Sequence, residues 1–501
     1  MSALFLGIDI GTSSVKAVIA DSTGHIVSIG RESYELSITA GYNAEQNPEA
    51  WWIATVSAIT HALEKLSPIL WKNIEGIGLS GQMHGLVLLG KDGEPLYPAI
   101  NWTDRRAIQE ANDICAAFDD SYINHHLGGM IAPGFTAPLL LWMKKHEGAL
   151  LSRADTFLLA KDYVRYRLTG IAATEQTDAS GTGMFDIASR TWSKEVQAFL
   201  GLPPHIYPDV HTSCEITGGL SKTAADILGL PCGIPVSFGG GDQLMQALGN
   251  GIDNHGATSI TIGSGGQVLM VSDSMIPMKD HCANTFVHAA PNTWAMLGGT
   301  LSAGLSLKWF YSTILESTDF QQADQLAANA DAGSNGIVFL PYLLGDRTPH
   351  MDPLARGAFI GLSADHDRRH MIRSVMEGVC FSLRESLEYM EAQGLHSEKI
   401  AITGGGAYST VWRQILADVL GRDLVFNMRG EQTGLGAALT AAVAVKAYPS
   451  LSDACACVSR GPSHTERPGD NAIIYNKLYE VFRCVYRQNK EIMHLLASYQ
   501  R

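Results

Sequence analysis

Residues 5–21 read FLGIDIGTSSVKAVIAD and residues 257–271 read ATSITIGSGGQVLMV. Both spell an apolar strand, a turn of glycine and small hydroxyl residues, and a second apolar strand, so each predicts a β-hairpin. One hairpin opens each half of a 501-residue chain, which is too long for one ordinary domain. The pattern therefore predicts a duplicated α/β molecule with units at 1–246 and 247–501.

The stretches between the hairpins carry their own signals. His25 to Leu36 alternates as a third strand, and Asn47-Pro48-Glu49 supplies an N-cap, a proline at the first helical position and an early acid for a helix to about Leu66. IEGIGLSGQ predicts a buried strand ending near Gln82, and GLVLLGKDGEPLYPAI a strand pair around Asp92-Gly93. Helices are expected at 104–118, 138–147 and 160–168, and the strand IPVSFGGG closes this half before Asp242. The second half predicts a helix from Ser302, strands at 337–341 and in KIAITGGG, a long helix from Arg368, and two more helices. GIGLSG, residues 76–81, has the dinucleotide-binding glycine spacing, but strand rather than helix follows, so no such site is predicted there.

Small residues at a hairpin tip let backbone N–H groups approach phosphate oxygens, and Thr12, Ser13 and Ser264 add hydroxyl donors. Two such tips suit a triphosphate gripped from both sides. Asp9, an acid at the end of a buried strand, is either satisfied by N–H groups of its own turn or holds Mg2+ beside the phosphates. ITGGGAYSTVWRQILADVLG, residues 402–421, sets a glycine run between strand and helix. That layout lets backbone lie flat against a nucleotide's base or ribose, and it also suits a plain strand-to-helix turn.

Lys plus Arg number 36 against 50 Asp plus Glu, a net charge of −14 without a basic block, which argues against nucleic acid as a partner. No apolar run is long enough to cross a bilayer and no signal-peptide pattern opens the chain, so no membrane partner and a cytoplasmic location are expected. The eight cysteines are scattered, with only Cys455 and Cys457 close together, and read as reduced thiols. His281, Cys282 and His288 lack metal-ligand spacing.

Taken in order, GIDIGTSSVKA, GLSGQMHG, INWTDRR, PGFTAPLLLW, TDASGTGMFD, GGGDQ, FLPYLLGDRTPHMDPLARGAFIGL and TGGGA resemble the FGGY carbohydrate kinases, and among them the xylulose kinases. These sit in the superfamily of sugar kinases, heat-shock ATPases and actin. Leu139 departs from the lysine usual in the family's first signature. The resemblance implies two ribonuclease-H-like (actin/hexokinase-type) α/β domains with the active site in the cleft between them. It also implies ATP and Mg2+ as cofactors and phosphorylation of a sugar hydroxyl. Carried over residue by residue, it makes Asp242 the catalytic base, with Gly239 to Gly241 clearing side chains around it. Met83, His84, Asp104 and Gln243 become sugar contacts, and Asp9 stands at the metal. Thr12, Ser13, Lys16, Ser264, Gly304, Gly405, Gly406 and Thr410 fall at the nucleotide. An N-cap role on the helix QLMQALG is compatible with a base at Asp242, and Asp104 is also placed to cap a helix.

Gln243 stands where xylulose kinases commonly carry Asn, and GDQ and WTDRR are similar to glycerol kinase at those points. QMHG, however, replaces the Arg-Glu pair with which glycerol kinase holds its triol. The expected acceptor is a ketopentose, D-xylulose first, with L-xylulose, ribulose, erythritol and a glycerol-like polyol as alternatives. A chaperone-like or actin-like ATPase without a small-molecule acceptor is the reading from another class, and GGGDQ with QMHG argues against it. Oligomeric state stays open, a homodimer included.

Overall fold

In the computed structural model, which describes residues 3–39, 43–397 and 399–499, Leu4–Ile10 (β1) pairs antiparallel with Ser14–Asp21 (β2). β2 in turn pairs antiparallel with Ile26–Ser33 (β3). Asn47 caps the helix Pro48–Leu63 (α1), its side chain accepting from the Glu49 N–H. Ile74–Gly81 (β4) lies parallel on the other side of β1, and Pro235–Ser237 (β5) parallel beside β4. Gly240–Gly241 (β6) also pairs with β4 and leads into the helix Asp242–Gly249 (α2).

The second half repeats this order. Thr258–Ile262 (β7), Gly266–Ser272 (β8) and Trp294–Thr300 (β10) form an antiparallel meander, with Asn284–Val287 (β9) on its edge. Gly304–Lys308 (α3) and the long helix Arg368–Glu391 (α4) follow. Lys399–Thr403 (β11) then runs parallel to β7, and Asp423–Asn427 (β12) parallel to β11, with Thr410–Leu420 (α5) between them. Both sheets thus consist of a meander flanked on the first strand's free side by two parallel strands, the expected ribonuclease-H-like arrangement.

β1 is buried at every position because helices cover both faces of the sheet. On one face a Cβ at Gly30 would lie 1.9 Å from the Ala58 carbonyl of α1. On the other lies Gln432–Ala444 (α6), and a Cβ at Gly7 or Gly78 would lie 1.9 Å from the Gly434 or Ala437 carbonyl. The glycine spacing of GIGLSG therefore serves helix packing. α6 also crosses α2 closely, since a Cβ at Gly436 would stand 1.9 Å from the Met245 carbonyl.

Several expectations are corrected. The helix expected from 104 begins at Ile108, because the Asp104 carboxylate is committed elsewhere. Val87–Gly90 pairs mainly with Ala154–Leu158, and meets the segment beyond Asp92-Gly93 only in isolated bridges. Asp242 is the first residue of α2, with Gly241 in the cap position. Beyond β11 stand α5, α6 and the helices Leu451–Ser459 and Ala472–Ala497, twice the number expected. Leu139 is fully buried in an apolar cluster with Ile114 and Met143, an environment that would strand a lysine's charge. Among the described residues no helix is long and apolar enough to cross a membrane.

Candidate active site

Asp9 faces Ser80 across the parallel β1–β4 pair, and Ser80 faces Gly240 across the next. Asp9, near the end of β1, and Asp242, just beyond β6, therefore stand close together at neighbouring strand ends. Asp9 is 7 % exposed, and its Oδ1 is buried without a hydrogen-bond partner. Burial pushes its carboxyl up to about 6, with Lys16 pulling down, Glu431 pushing up and Ser80 stabilising the charge. Asp242 is half-buried, and burial, then the charge of Asp9, push it up to about 7 against hydrogen bonds from the Gln243 backbone and side chain. The turn before it admits only glycine at its first position. Gly239 has φ +71°, and a Cβ there would lie 1.8 Å from the Leu79 carbonyl.

The first hairpin tip is held by its carbonyls. Gln46 Nε2 donates to the Thr12 carbonyl at 2.8 Å, Trp102 Nε1 to Thr12 Oγ1 at 3.1 Å, and Tyr34 Oη to the Gly11 carbonyl. The N–H groups of Thr12 and Ser13 find no backbone acceptor among the described residues, which leaves them for an anion. Lys16 pairs with Glu431 at 2.7 Å, an ion pair from β2 to the start of α6. An orphaned buried carboxylate oxygen beside free N–H donors is the donor set that a divalent cation carrying phosphate oxygens needs, so Asp9 fits Mg2+.

His84 adopts φ +64°, and its ring stacks on Phe135 at 3.9 Å. Its Nδ1–H donates to the Gly181 carbonyl, and burial pushes its pKa down to about 4, so the neutral ring presents Nε2 as an acceptor. Met83 is buried against the glycine run: a Cβ at Gly241 would meet its Cγ at 2.6 Å. Asp104 is tied inside the protein. Its oxygens accept from Ala44 N at 2.6 Å and from Arg106 N, Nε and Nη2 at 2.8, 2.9 and 2.9 Å, which fills all four lone-pair directions.

Beneath the glycine run lies a cluster absent from the sequence expectations. Lys161 pairs with Asp162 at 2.7 Å, Asp178 at 3.0 Å and Glu175 at 3.4 Å, all fully buried. Thr177 Oγ1 accepts from the Gly241 N–H at 2.9 Å. The motif TDASGTGMFD was visible in the sequence, but its link to Asp242 depends on contacts from a separate segment.

Ser264, Gly304, Gly405 and Gly406 line one cavity of about 680 Å3 together with Leu305 and Tyr408. The Gly304 N–H donates to the Gly263 carbonyl at 2.8 Å, and a Cβ there would come within 2.6 Å of that oxygen. A Cβ on Gly405 would meet nothing within 4 Å, so the backbone faces open space. Thr410 stands apart, exposed on a separate cavity of about 280 Å3 beside Arg373 and Asp418. Ser409 lines the larger cavity instead, its Oγ donating to Asp324 at 2.8 Å. Gln246 of α2 accepts from Thr261 Oγ1 at 2.9 Å, which ties the helix of Asp242 to the strand leading to Ser264.

Residues 4–249 match the N-terminal domain of the FGGY family of carbohydrate kinases, and residues 258–445 its C-terminal domain. A xylulose kinase of Staphylococcus epidermidis is 34% identical over 488 residues, 97% of each chain. One of Bacillus subtilis is 34% identical over 500 residues, 99% of each chain. The crystal structure of a xyloylose kinase from Brucella ovis is similar with a TM-score of 0.91 at 32% identity, over 98% of this chain and 100% of that one. With both halves matched and the relatives aligned almost end to end, the chain belongs to the FGGY family of carbohydrate kinases.

Proposed function

We infer that this protein transfers the γ-phosphoryl group of ATP to a hydroxyl of an open-chain ketopentose, converting D-xylulose to D-xylulose 5-phosphate in the cytoplasm. The observation that carries this reading is Asp242, a half-buried carboxylate pushed up to about 7 and set on a glycine run beside the orphaned Asp9. A base with that affinity takes the acceptor's proton near neutral pH. Gln243 hydrogen-bonds Asp242 and so aims it, while its amide, one methylene longer than Asn, reaches the sugar. Neutral His84 accepts a sugar hydroxyl at Nε2, and Met83 packs the sugar loop onto the glycine run.

Mg2+ held at Asp9 supplies the positive charge that the phosphates require. Thr12 and Ser13 N–H groups bind phosphate oxygens, with Lys16 adding charge once its pair with Glu431 loosens. Ser264, Gly304, Gly405 and Gly406 hold the nucleoside, with Ser409 in the place expected for Thr410. The acting units are 1–246, the sugar side, and 247–501, the nucleotide side, and the boundary falls inside α2. Xylulose kinases among the full-length relatives support the acceptor, and the absence of any disulfide among the described residues suits a reducing compartment.

Steady-state ADP release over D-xylulose, L-xylulose, D-ribulose, erythritol and glycerol tests the reading. The highest kcat/KM is expected for D-xylulose. A value for glycerol above every ketose overturns it.

A further inference from the structure

Arg347 lies in the loop GDRTPH, and neither the base nor the nucleotide cavity uses it. Its Nη2 donates to Asn284 Oδ1 at 2.7 Å, while its Nε is buried without a partner. None of the salt bridges among the described residues includes it. Asn284 also donates from Nδ2 to the Met130 carbonyl at 2.8 Å, so the support of the guanidinium is itself anchored to the first half of the chain. Asn284 and Phe286 lie two apart on β9 and share one face, and the Phe286 ring stands 6.2 Å from the His84 ring. That face of β9 therefore holds the guanidinium on the side of the strand that faces His84. The charge of Arg347 adds to burial in lowering the basicity of His84.

Arg347 is partly buried, and its guanidinium carries a buried, unpartnered Nε with no ion pair among the described residues, an arrangement that costs free energy unless a ligand completes it. Arginine has five N–H donors and no acceptor, so its best partner is an oxygen that carries no proton. In a ketopentose phosphorylated at O5, O5 is the hydroxyl that would close a five-membered ring on C2. The reacting form is consequently open-chain, with a free carbonyl. We propose that Arg347 is a specificity-determining residue that donates hydrogen bonds to the carbonyl oxygen of an open-chain ketose held between His84 and Asp242. This assignment rests on the ketose-kinase reading above.

Reduction of D-xylulose at its carbonyl gives xylitol and D-arabinitol, which keep every other hydroxyl. The test is kcat/KM for these three compounds with the full-length wild type, Arg347→Met and Arg347→Lys, each checked for folding by thermal melting and ATP-analogue binding. The wild type should favour D-xylulose over both pentitols by about tenfold or more. Arg347→Met should remove most of that preference through KM, and Arg347→Lys, with one charged donor group, should keep part of it. If Arg347→Met does not fold, the Arg347→Lys ratio decides. A preference within about twofold of wild type in the folded variants overturns the proposal. A wild type that phosphorylates pentitols as well as D-xylulose overturns the carbonyl assignment and leaves the kinase reading standing, whereas a wild type inactive on every ketose overturns both.

Discussion

Asp242 and Asp9 are carboxylates whose burial and mutual repulsion oppose double ionisation, with carboxyls pushed up to about 7 and about 6. A base must be deprotonated to act, so kcat/KM for the sugar should rise with pH through about 7, with the midpoint moving lower when Mg2+–nucleotide neutralises Asp9; a flat profile from pH 5 to 8 contradicts the assignment. Asp242→Asn should lower kcat roughly a hundredfold or more while nucleotide binding, read by calorimetry, stays near wild type. The same shift has a stability sign. A carboxyl whose folded pKa lies above its unfolded value stabilises the fold only while protonated, and that stability is lost as pH rises from about 4 through about 7. Asp242→Asn should therefore raise the melting temperature of the ligand-free protein by about 2–4 °C at pH 8 and by less at pH 5. At this scale the strand-end acids were legible, because an acid in an apolar run stands out in any sequence. Asp104 was not, since its partner Ala44 lies on a distant segment, and neither was the choice of Ser409 over Thr410, because adjacent residues at a helix start face different cavities.

The hairpins and the glycines of β1 and β4 position these residues. The hairpins were legible from alternation and turn chemistry alone, down to the Asn47 cap that starts α1. What alternation could not supply was the partner of each face. α6 comes from the second half of the sequence yet packs on the first sheet, and that contact explains Gly7, Gly76 and Gly78. The same limit made Val87–Gly90 a hairpin arm in the sequence and a partner of Ala154–Leu158 in the fold. Gly78→Ala places a methyl 1.9 Å from the Ala437 carbonyl, so α6 must shift. Overpacking of this kind costs about 1–3 kcal/mol, and denaturant melts of Gly78→Ala should show it, whereas Gly405→Ala, with open space at its Cβ, should melt like wild type. In Gly405→Ala, ATP affinity should fall instead, because the new methyl enters the cavity proposed for the nucleotide; unchanged ATP binding there would count against that role.

For the whole molecule, duplication was legible because both halves open with the same hairpin, and both sheets do share one strand order. The crossing of α2 and α6 was not, since it joins segments far apart in the chain through Met245 and Gly436. The residues proposed for nucleotide and for sugar come mostly from different halves, so binding both ligands should draw the halves together and exclude the water that would hydrolyse ATP. Solution scattering should show a smaller radius of gyration with sugar and a non-hydrolysable nucleotide together than with neither. Such a closed site would deliver phosphate to a sugar hydroxyl and not to water. The most direct measurement is the product balance of the wild type at saturating D-xylulose and Mg2+–ATP, with ADP quantified against pentulose phosphate by mass spectrometry. One sugar phosphate is expected for each ADP, with little ADP in the absence of sugar; ADP released at the same rate with or without the ketose, and no sugar phosphate formed, would overturn the kinase reading.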